Sequence, residues 1–149
     1  MVLWDGYCEV HEIFSLEKIK ELKKQHPDAK IIAHPECKTP VLKIADYIGS
    51  TTGLLNYTVK DKAKEFIVVT EPGVIYQMQK SSPQKTFIPA PPDNSCTCNN
   101  CPYMKLNTLE KIYNCLKYEL PEIVMNKDLI EKAGKPIHRM LEISKKAGL

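Results

Sequence analysis

Apolar positions along the chain come in short runs separated by polar turns, and two periods can be read from them. Residues 30–33 (Lys-Ile-Ile-Ala) and 66–69 (Phe-Ile-Val-Val) are brief, almost continuous apolar stretches bounded by turn residues, the pattern of strands covered on both faces. Residues 86–88 (Thr-Phe-Ile) predict a further strand, and Val2-Leu3-Trp4 reads as the end of one more, with Asp5-Gly6-Tyr7-Cys8 turning away from it. Between the strands the pattern is helical. Ser15 is placed to cap a helix through about Gln25, with Phe14, Ile19 and Leu22 on or near one face and Pro27-Asp28 as its stop. Thr39 before Pro40 predicts a helix from Pro40 to Ile48 stopped by Gly49. A hydroxyl-rich turn at residues 49–53 leads into a helix over about Leu54 to Lys60, and another spans about Val74 to Lys80. Towards the end, Thr108 caps a helix to about Glu119, Pro121 breaks it, and short helices follow over Asn126 to Ala133 and Pro136 to Ala147.

Short strands alternating with helices predict an α/β fold, a parallel sheet in a three-layer α/β/α sandwich, with functional groups beyond the carboxyl ends of the strands. The α/β layer is expected over residues 1–102. Residues 103–149 are expected to form a helical segment that packs on sheet this chain does not contain, and the abrupt start suggests a piece of something longer.

Composition narrows the class. The chain has 149 residues, 43% of them hydrophobic and 26% charged, which is ordinary globular material long enough to bury a core. A net charge of +3 with dispersed lysines does not argue for nucleic-acid binding. Residues 1–5 lack the basic and long apolar regions of a signal peptide, and no apolar run reaches membrane-spanning length, so a cytoplasmic, reducing setting with no membrane association is expected.

Cysteine then changes the picture. Cys96, Cys98 and Cys101 place three thiols within six residues, entered from a proline-rich run and closed by Pro102. Such a loop suits a soft metal centre, although disulfide partners or reactive thiols are the other reading. A structural zinc would want a second close ligand pair, whereas Cys8, Cys37 and Cys115 are scattered singly. The Cys101-Pro102 step echoes bacterial iron–sulfur runs.

Five segments taken together carry a resemblance. Residues 6–11 (Gly-Tyr-Cys-Glu-Val-His), 34–37 (His-Pro-Glu-Cys), 49–53 (Gly-Ser-Thr-Thr-Gly), 70–74 (Thr-Glu-Pro-Gly-Val) and 101–104 (Cys-Pro-Tyr-Met) resemble, in order and spacing, the C-terminal half of the quinolinate synthase (NadA) family. The resemblance implies three related α/β layers about a pseudo-threefold axis, each giving one cysteine to a 4Fe-4S cluster. It also implies a transferase that condenses iminoaspartate with dihydroxyacetone phosphate to quinolinate in NAD biosynthesis. By position Cys8 and Cys101 match two cluster ligands, and the third ligand belongs to a region absent from this sequence. His34 and Glu36 match active-site positions suited to proton transfer. Ser50 and Thr51 match phosphate or carboxylate contacts, a role that helix capping competes for. An L-aspartate oxidase or dehydrogenase is implied as the supplier of iminoaspartate. Cys96 and Cys98 are read as spare thiols, Cys37 as a buried small hydrophobe, Cys115 as a packing residue, Glu71 as a possible substrate or layer contact, and His11 as a group supporting Cys8. A zinc module built on Cys96, Cys98 and Cys101, or an inactive truncated chain, are the competing readings.

Overall fold

The computed structural model describes residues 5–93 and 99–148. The strand expected at Val2–Trp4 and the thiols of Cys96 and Cys98 lie outside the described residues. The chain forms two compact units, residues 1–106 and residues 107–149.

The first unit is built on four strands, β1 (Lys30–Ala33), β2 (Tyr47–Ile48), β3 (Glu65–Val69) and β4 (Thr86–Pro89). All pairings are parallel and the order is β2-β1-β3-β4. Register aligns Ile31 with Ile67 and Ala33 with Val69, so the carboxyl ends of β1 and β3 finish side by side. The side chains of β1 and β3 divide between two cores. Ile31, Ala33, Ile67 and Val69 pack with Val10, Phe14 and Ile19 on one face; Ile32, Phe66 and Val68 pack with Leu54 and Met78 on the other. Phe66, Ile67, Val68 and Val69 are fully buried, each large one contributing about 1.5–3 kcal/mol through removal from water. That two-sided covering is why these strands read as unbroken apolar runs.

Helices supply the outer layers. α1 (Glu9–Glu12) and α2 (Leu16–Gln25) bear on the first core, with Ser15 capping α2 by accepting from Lys18 N–H, as the pattern predicts. α4 (Thr51–Lys60) and α5 (Val74–Ser81) cover the second.

One prediction fails between β1 and β2. The expected helix from Pro40 to Ile48 stops after α3 (Thr39–Leu42), its N-cap is Lys38 rather than Thr39, and residues 47–48 are strand. The reason is tertiary. Asp46 N–H donates to Ile31 O at 2.7 Å while the Asp46 carboxylate accepts from Ile31 N–H at 2.7 Å, which draws the segment onto the sheet edge. Tyr47 then stacks on Tyr57 at 4.2 Å and lies against Gly49, where an added Cβ would sit 2.8 Å from its Cε1. Glycine is therefore required there by close approach.

The second unit holds α6 (Leu109–Tyr118) and α7 (Lys127–Lys146). Thr108 caps α6 by accepting from Lys111 N–H at 3.2 Å, and Asn126 caps α7 through Asp128 and Leu129 N–H. The two short helices expected on either side of Pro136 are one 20-residue helix that runs through the proline. Among the described residues, no helix is long and apolar enough to cross a membrane.

Candidate functional site

In this strand order the connection leaving β1 goes to β2 on one side and the connection leaving β3 goes to β4 on the other. The chain thus opens a crevice beyond the carboxyl ends of β1 and β3, the place where doubly wound sheets bind ligands. His34 follows β1 directly and Thr70 follows β3 directly; His34 N–H donates to Val69 O at 3.1 Å and fixes their spacing.

From a third direction α1 inserts His11. Its ring stacks on that of His34, centroids 4.4 Å apart and 17° from parallel, and its Nε2 lies 3.0 Å from Thr70 Oγ1. Glu36 reaches both imidazoles: Oε2 is 3.1 Å from His11 Nδ1 and 3.5 Å from His34 Nδ1. The first approach has ion-pair distance but not hydrogen-bond direction, so His11 Nδ1 is buried without a hydrogen-bond partner. Burial pushes the His11 pKa below the ordinary imidazole value, the neighbouring His34 adds to that, and Glu36 opposes it. His11 is therefore held toward its neutral form. His34 Nδ1 accepts from Glu36 N–H at 3.4 Å, which folds the His-Pro-Glu turn back on itself.

Cys8 precedes α1 and its sulfur joins this group. One ligand atom from each of Cys8, His11 and Glu36 lies within 4.8 Å of the other two. Cys8 also lines a pocket of about 330 Å³ together with Cys101, Pro102, Tyr7 and Tyr103. Both thiols are half-buried and free. The segment carrying Cys101 is stitched to the α1 region on either side of the undescribed residues. Asp93 N–H donates to Ile13 O at 2.8 Å, and the buried Asn99 amide donates to Val10 O.

The sequence-predicted residues thus fall into two places. Cys8, Cys101, His34 and Glu36 lie around the carboxyl edge of β1 and β3. Ser50 and Thr51 stand one strand over, where Gly49 N–H donates to Ala33 O at 3.1 Å; Ser50 Oγ accepts from Gly53 N–H at 3.2 Å and so caps α4. Glu71 accepts from Gly73 N–H through Oε2, while its Oε1 is buried without a partner. Cys37 is buried against Val69 O and its thiol is pushed up to about 12 by desolvation, an inert packing group. Cys115, expected to pack, is exposed on α6. His11 is the residue that sequence reasoning undervalued; the signal was its place three residues after Cys8, which puts both on one side of a helical turn.

The class defined by fold and site is a doubly wound α/β domain with thiols, imidazoles and a carboxylate gathered at its switch point. Over residues 1–142 the chain matches the family described as NadA, quinolinate synthetase A protein. It is 64% identical over 144 residues to a quinolinate synthase of Microcystis aeruginosa, which covers 97% of this chain and 45% of that protein. Quinolinate synthases of a Synechococcus strain and of Chloroherpeton thalassium are 59% and 57% identical over 145 and 146 residues, again 97% of this chain and 45% of theirs. The chain belongs to the NadA family, and it spans about half the length of the curated relatives it matches.

Proposed function

We propose that this chain is the part of a quinolinate synthase that supplies two of three cysteine ligands to a 4Fe-4S cluster and the acid–base groups beside it. The reaction is condensation of iminoaspartate with dihydroxyacetone phosphate to quinolinate, a step of NAD biosynthesis in the cytoplasm. The observation that carries this reading is one pocket lined by Cys8 and Cys101, with Cys8 adjoining His11 and Glu36, in a chain so similar to quinolinate synthases.

The donor set fits the cluster. Two free, half-buried thiols share a pocket, and a third ligand comes from a layer outside this chain. When bound, a cluster with three thiolate ligands supplies a Lewis-acidic iron for substrate oxygen. The chain's own groups do the remainder. His34 and Glu36 exchange protons with the substrate at a strand end, the neutral His11 ring orders both, and Thr70 Oγ1 orients His11. Thr51 and the amides opening α4 receive an anionic substrate group, with Ser50 shaping that turn. Residues 103–149 pack on the outside layer. Iminoaspartate hydrolyses in water, so an L-aspartate oxidase or dehydrogenase acts as its source.

The test is reconstitution with the complementary half of a relative, read by iron content and quinolinate formation. Cys8→Ser and Cys101→Ser are expected to lose iron and product together. Glu36→Gln keeps iron and lowers kcat by about 100-fold or more. Unchanged iron in both cysteine variants overturns the reading.

A further inference from the structure

Two glycines bracket the turn that opens α4, and one side chain explains both. A Cβ added at Gly49 would meet Tyr47 Cε1 at 2.8 Å and Tyr47 Oη at 3.0 Å, and one added at Gly53 would meet the same Oη at 3.3 Å. The phenol thus occupies the space that side chains at both ends of residues 49–53 would take, and the backbone of the turn lies directly against the ring. The ring has little freedom. Its own backbone is held on β2 opposite Ile32, and its face stacks on Tyr57 of α4, centroids 4.2 Å apart and 4° from parallel. Tyr57 in turn meets the fully buried Phe66 edge-on at 6.4 Å, and its hydroxyl accepts from Lys30 Nζ at 3.2 Å. Sheet, helix and turn therefore fix Tyr47 from three sides.

We infer that Tyr47 is the positioning residue for the anion-receiving turn: its ring, clamped by Tyr57, sets the height of residues 49–53 and so the place of Thr51 and the first amides of α4. This rests on the proposed function and deepens it by naming what holds that contact in place. Ser50 Oγ is engaged by Gly53 N–H at 3.2 Å, which leaves reception of a phosphate or carboxylate to Thr51 and the amides before Gly53. Those donors serve one anion only while they converge on one point, and misplacing a positioning group by about 1 Å costs on the order of 100-fold. Tyr47 acts through the turn and does not itself touch substrate. Its loss therefore weakens substrate binding and raises KM, whereas a general loss of folded protein lowers kcat and leaves KM where it was.

The experiment uses the chain reconstituted with the complementary half of a relative and measures KM with dihydroxyacetone phosphate varied, then with iminoaspartate varied. The substrate whose KM rises in Thr51→Val owns the anionic group. For that substrate Tyr47→Leu is expected to raise KM about tenfold, with iron content unchanged. Tyr47→Phe keeps the ring and its stack and should stay within about twofold of the parent. Gly49→Ala, which leaves the core untouched, should raise KM as Tyr47→Leu does, because the ring must give way to the new Cβ. In the Tyr47→Leu background the same Gly49→Ala change should add less than about twofold, since the space is already vacated. Unchanged KM in Tyr47→Leu and Gly49→Ala, where Thr51→Val raises it, overturns the inference and leaves the proposed function standing. A KM in Tyr47→Phe as high as in Tyr47→Leu also overturns it, by assigning the effect to the hydroxyl. Unchanged KM for both substrates in Thr51→Val overturns the anion contact itself, and this inference with it.

Discussion

Lys85 is a cation in the core of the first unit, 9% exposed, and its amine donates to Thr58 O and Asp61 O at the end of α4 while lying 5.4 Å from the Phe66 ring centroid. Those carbonyls belong to the last turn of a helix, where a positive charge is favoured and unbonded acceptors are costly. Lys85→Met keeps the apolar stem but leaves both carbonyls without this donor, and is expected to lower unfolding free energy by about 2–4 kcal/mol in a urea titration. Nothing in the sequence marked Lys85, because a lysine before a strand is usually solvated. The strand-end placement of His34 and Glu36 was legible, since both follow directly on the apolar run of β1. The contact that fixes the His11 ring was not, because Thr70 lies 59 residues away in sequence.

Among the elements, the junction of α4 with β1 carries a pH signature. Asp61, at the end of α4, holds Lys30 on β1, and hydrogen bonding from Lys30 pulls the Asp61 carboxyl down to about 2 while Lys30 itself is raised. A carboxyl depressed in the fold adds stability above its unfolded pKa of about 4, and that stability is lost as pH falls from there toward about 2. Asp61→Asn should flatten the acid dependence of the denaturation midpoint across that window and leave its slope at neutral pH unchanged. The same scale shows what pattern reading can and cannot see. β1 and β3 were visible because both faces are buried, and α2 because Ser15 caps it. β2 was hidden in a helical signature because the Asp46 bonds to Ile31 outweigh local propensity. α7 runs through Pro136, although an interior proline removes one helix hydrogen bond, which is why the sequence pattern divides it in two.

At the scale of the molecule, the two units differ in how they are held. The first encloses two cores, whereas the described residues of the second include no buried ones, and Ile112, Leu116, Ile130, Ile137, Met140 and Leu141 are each 47–78% exposed. Helices that bury little open readily. Limited trypsin digestion should cut within residues 107–149 first and leave an N-terminal product ending near Leu106, identified by mass; under the proposed packing, the complementary half of a synthase slows that cleavage.

The parallel topology also separates the molecule's two ends. Residues 26–28 precede β1 and residues 63–64 precede β3, and His26 meets Glu65, the first residue of β3, at 3.2 Å, so they stand a full strand length from the crevice. A fluorophore or affinity handle attached at Asp28 therefore reports on the chain without crowding its chemistry. Under the proposed function, a polypeptide that completes the thiol set arrives from the opposite rim, where Cys8 and Cys101 share a pocket.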